Sequence, residues 1–86
     1  MGLEEDDKVF LQGLIMSAAM LHQHGRRVAA GVRNHWANVQ VRLEAHRPTK
    51  WGLEVDGLLV QLKRYAEDAE AGSWALDAKA VRIVRR

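Results

Sequence analysis

One mostly apolar, uncharged run, Val9 to Leu21, constrains this chain more than any other stretch. At 100° per residue, Phe10, Leu11, Leu14, Ile15, Ala18, Ala19 and Leu21 cover about half of a helix circumference, and Val9, Met16 and Met20 fall on much of the rest. Gln12 and Gln23 provide the only polar strip. A helix of this kind must be covered on more than one side. At about 13 residues the run falls short of the roughly 20 that span a bilayer. It also follows Glu4-Glu5-Asp6-Asp7, where a secretory signal would carry positive charge. The expectation is a buried core helix in a cytoplasmic protein with no membrane association.

Eighty-six residues make one small domain with a single modest core. At 48% hydrophobic and 28% charged, the chain has the composition of a folded globule rather than a disordered segment. It lacks cysteine, which excludes disulfides, thiol catalysis and thiolate metal sites. The net charge of +2 is unevenly spread: residues 1–21 total −3, residues 22–50 +5, residues 51–72 −3 and residues 73–86 +3. Blocks of alternating sign favour segments that attract one another, and they are too modest to favour nucleic acid as a partner.

Helix boundaries follow from capping chemistry. The acids before Lys8 suit a helix entrance, with Asp6 or Asp7 as N-cap, and Gly25 is the expected stop of a first helix over 7–24. Gly13 and Ser17, four apart, form a small-residue notch that admits a close helical neighbour. A second helix over 27–45 carries Ala29, Val28, Val32, Trp36, Val39 and Leu43 on a narrow stripe. Pro48 breaks the pattern in the main loop, His46 to Gly52. A third helix over 54–70 collects Val55, Leu58, Leu59, Leu62, Tyr65, Ala66 and Ala69 in about 120° of arc, with Val60 out of place and Gly72 as terminator. The predicted fold is all-α, a compact bundle of three helices in antiparallel arrangement over residues 1–72. A basic tail follows over residues 73–86, either a short fourth helix or extended.

Catalytic spacing is missing. His22 and His24 are two apart and face different ways, and His35 and His46, eleven apart, stand roughly 16 Å from one another along a helix. The chain carries no HExxH, GxGxxG, Walker loop or GxSxG, so no cofactor or metal is called for. Only His22 or His35 in a cleft could serve as acid or base. The basic residues Arg26, Arg27, Arg33 and Arg42, with His35 about 20° from Arg42 on the helix, could instead bind an anionic ligand such as nucleic acid or a phosphorylated small molecule.

Residues 7–22, with Gln12-Gly13-Leu14-Ile15 at their centre, resemble the central motif of the bacterial and archaeal domain of unknown function 309 family. Gly25 to Leu43 is similar to the family's next helix, and Gly52-Leu53-Glu54-Val55-Asp56-Gly57-Leu58-Leu59 to its third block. The resemblance implies a small all-helical protein of unassigned activity. The family's earlier helix, which carries its His and Glu cluster, has no counterpart here. Its loss would bare the Gly13, Met16, Ser17 and Met20 side of the first helix, with Phe10, Leu14, Ala18 and Leu21 held in the core. That bare side is then expected to be covered by the tail, or to mediate self-association or contact with another protein.

Overall fold

A computed structural model describes residues 5–77 and residue 81. Three helices dominate: α1 (Glu5–Gly25), α2 (Ala29–Leu43) and α3 (Val55–Ala71). A 3-10 turn, Glu44–His46, extends α2, and two short strands, β1 (Thr49–Lys50) and β2 (Leu53–Glu54), pair antiparallel before α3. The all-α expectation holds. The loop around Pro48 is more ordered than its composition suggests, because Trp51 and Gly52 both adopt positive φ, +55° and +73°, and close a two-residue hairpin.

The core follows the predicted stripe of α3 closely and that of α2 in its Val32, Val39 and Leu43, whereas Val28 caps the helix in extended conformation and is exposed. Val32, Val39 and Leu43 of α2 are fully buried, as are Val55 and Leu62 of α3, with Leu58, Tyr65 and Ala69 nearly so. Val60 points outward. Gly72 ends α3 with φ +69°, its N–H donating to the Ala69 carbonyl and that of Ser73 to the Asp68 carbonyl, a Schellman closure that a residue without Cβ accepts readily.

α1 ends differently from expectation. Gly25 is still helical, and Arg27 takes the left-handed position instead, at φ +58°. The N–H of Arg27 donates to the carbonyl of His24 and that of Val28 to the carbonyl of Gln23, so the same closure forms around a residue with a side chain. Two positions after the expected left-handed stop, and one helical residue longer than expected, the chain has the rotation it needs to lay α2 antiparallel along α1.

The orientation of α1 is the main correction. Its buried side is Phe10, Gly13, Ser17, Met20 and His24, spaced three and four residues apart. Gly13, Ser17 and Met20, expected to face a replacement for a lost helix, lie in the interior, and Met16 packs against the core. A Cβ on Gly13 would stand 2.5 Å from Cδ2 of the fully buried Leu43, so the notch is filled by α2 of the same chain. The Ser17 hydroxyl donates to the Gly13 carbonyl over 2.8 Å and needs no other partner. Of the residues assigned to the interior, Phe10 is fully buried and Leu14 and Leu21 are partly so, but Ala18 is exposed. A helix that is apolar around its whole circumference has no strong periodicity to choose a face, so close approach and hydrogen bonding decide.

Candidate interaction surface

Turning α1 by roughly a quarter of a circumference, with Phe10 still inside, leaves a different stripe in solvent. Leu11 and Ile15 are 38% and 61% exposed, Ala18 is exposed, and Lys8 and His22 bracket them. No Asp, Glu, Lys or Arg occurs between Val9 and Gly25, and the outward side of α2, Ala30, Asn34, Ala37 and Val41, is equally uncharged. Exposed surface without charge is what the central part of a protein contact needs, because no ion has to be stripped of water there.

Two other polar clusters hold α1 in this orientation. Near its C-terminus the imidazole of His24, 3% exposed, donates from Nε2 to Oδ2 of Asp68 over 2.8 Å. Asp68 also accepts the backbone N–H groups of Ala75 and Leu76. Burial pushes its carboxyl up, but the bonds from His24 and from those two amides outweigh this and hold it below its ordinary value. The rings of Tyr65 and Trp74 lie edge-on to His24 at 5.0 and 5.3 Å, and the Tyr65 hydroxyl donates to the Asp77 carbonyl. The first part of the tail is therefore clasped as irregular chain over 73–77, neither helix nor strand; residues 78–80 and 82–86 lie outside the described residues.

At the other end, Asp7 does not cap the helix but reaches the hairpin. Its carboxylate accepts from Lys50 Nζ at 2.9 Å and from Trp51 Nε1 at 3.2 Å. The Lys50 bond is the main reason that its carboxyl sits below the usual range. Trp51 and His46 each approach Phe10 edge-on at 5.1 Å. His46 is 5% exposed, and its Nε2 meets no partner among the described residues.

The basic residues proposed for an anion do not converge. Arg33 pairs with Glu70 of α3 at 2.5 Å, whereas Arg42 turns towards α1, bonding Gln12 at 3.5 Å and Asn38 at 3.0 Å. Nine positions apart, the two guanidinium groups leave α2 on opposite sides. Arg26 and Arg27 are exposed in the α1–α2 turn, and His35 is partly buried. Two open cavities of about 470 and 540 Å³ run between α2 and α3, with Trp36 and Lys63 lining both. Their rims carry both signs of charge, including the Arg47–Asp56 and Arg33–Glu70 pairs, and neither His22 nor His35 lines them. Among the described residues no three of His, Asp and Glu gather to hold a metal, and no helix is long and apolar enough to cross a membrane.

The sequence pattern hid the exposed stripe because Leu11 and Ile15 fall with Phe10, Leu14, Ala18 and Leu21 on one broad apolar half of the helix. The available signal was the small and polar set Gly13, Ser17 and His24, which marks the tightly packed side of a helix better than bulk does. Against known proteins, the chain matches no family model, no curated protein and no solved structure.

Proposed function

We propose that this protein is an interaction module that self-associates through α1, acting in the cytoplasm. The observation that carries the reading is the uncharged, solvent-facing stripe of Leu11, Ile15 and Ala18 on a helix whose other sides are already packed. Membership of the domain of unknown function 309 family belongs to the same proposal; it rests on the Gln12-Gly13-Leu14-Ile15 core and contributes no activity.

Sedimentation equilibrium up to several hundred micromolar tests the reading. The expected result is reversible dimerisation, weakened more than about tenfold by Ile15→Glu, because a carboxylate would have to be desolvated at the contact. Since Ile15 is exposed in the single chain, the variant should keep its helical circular dichroism and thermal midpoint. A wild-type protein that sediments as a monomer throughout the range overturns the proposal.

A further inference from the structure

We propose, resting on the reading that α1 self-associates, that two copies pair their α1 helices antiparallel about a two-fold axis beside Ile15. The exposed positions Lys8, Leu11, Ile15, Ala18 and His22 follow one another at intervals of three, four, three and four residues. That is the spacing with which a helix presents a continuous seam to a second helix. The buried side of α1 has the same alternation and is already occupied by α2 and α3, so among the described residues α1 carries two seams and only one is filled.

Charge and size choose the direction. Glu5 and Arg26, both exposed, lie at opposite ends of the seam. With Ile15 on the axis, the antiparallel arrangement brings Glu5 of each copy to Arg26 of the other, and it sets the negative end of one helix dipole beside the positive end of its partner. A parallel arrangement would oppose Glu5 to Glu5 and Arg26 to Arg26. The antiparallel register also places bulky Leu11 across from small Ala18, while Ile15 meets its own copy and Lys8 comes opposite His22. Three apolar positions per copy bury less than the roughly 1,600 Å² of a tight complex, so the dimer is a weak and concentration-dependent one.

The absence of cysteine makes the geometry directly testable. Under mild oxidation, Ile15→Cys should cross-link to itself. Leu11→Cys and Ala18→Cys should not, since each stands about 9–12 Å along the helix from its own copy, beyond the roughly 7 Å that a disulfide tolerates. An equimolar mixture of those two variants should cross-link. His22→Glu, which supplies a carboxylate to each Lys8, should tighten dimerisation several-fold in sedimentation. Self-cross-linking of all three single variants, or no cross-link in a protein that still sediments as a dimer, overturns the antiparallel seam and leaves self-association standing. A monomer in sedimentation removes both.

Discussion

α1 and α3 have similar lengths and contribute to the same core, yet their outward sides are opposites. α3 turns Lys63, Arg64, Glu67 and Glu70 to solvent and buries one broad apolar stripe. α1 turns Leu11, Ile15 and Ala18 outward and buries a narrow side that includes glycine, serine and histidine. In α3 the cost of dehydrating charges permits only one orientation. In α1 almost any orientation buries apolar surface, so specific contacts decide, and the surplus apolar surface remains available to another chain.

The contrast is most easily broken in the middle of each helix. Leu62→Ala empties a fully buried position and should cost about 2–5 kcal/mol in chemical denaturation. Ile15→Ala, of similar chemistry, should change the stability of dilute protein by less than about 0.5 kcal/mol. Equal losses would mean that α1 is turned the other way.

Gly13→Ala comes next. Alanine ordinarily favours a helix over glycine by about 1 kcal/mol. Here its methyl group would collide with Leu43, and overpacking of a closed core costs about 1–3 kcal/mol, so a net destabilisation is expected. Stabilisation by this substitution would show that α2 does not approach α1 at the notch. In the opposite sense, Arg27→Gly should raise stability by up to about 1 kcal/mol, because it removes Cβ strain from a left-handed residue without removing any backbone hydrogen bond.

The smallest effect is local. Asp68 holds the tail only as a carboxylate, and its folded state titrates below the ordinary value of 3.8. Its stabilising contribution is complete above that value and is lost as the pH falls through the lowered one. The indole N–H resonance of Trp74 should therefore shift towards its unfolded position in acid, and Asp68→Asn should produce the same shift at neutral pH. A Trp74 signal that does not respond to either change would mean that the His24–Asp68 clasp does not position the tail.

Particular residues show how much could be read beforehand. Leu58, Leu62 and Tyr65 were legible because charges fill the opposite side of α3. Val32, Val39 and Leu43 were legible for the same reason of contrast, although Trp36, on the same stripe, ends in the groove between α2 and α3. Ile15 was not legible, since no charge lies near it in sequence and its polar neighbours split, Gln12 to solvent and Ser17 to the interior. Arg33 and Arg42 looked like members of one cluster, but Glu70 draws one away and Gln12 and Asn38 hold the other. The hairpin at Trp51 was also hidden. An aromatic residue is a poor candidate for positive φ, and the strand pairing on either side of it, the packing on Phe10 and the bond to Asp7 hold it there.

By itself the sequence determined three helices, their approximate ends, a core drawn from α2 and α3, and a chain without thiol chemistry. Periodicity and capping are local and survive in the linear pattern. The tertiary structure alone decided which side of α1 faces inward, because a nearly uniform apolar helix is oriented by contacts its own sequence does not contain. Those contacts are the approach of Leu43 to Gly13, the bond from His24 to Asp68 and the anchoring of Asp7 by Lys50 and Trp51. They also left Leu11, Ile15 and Ala18 in solvent, where the proposed function lies.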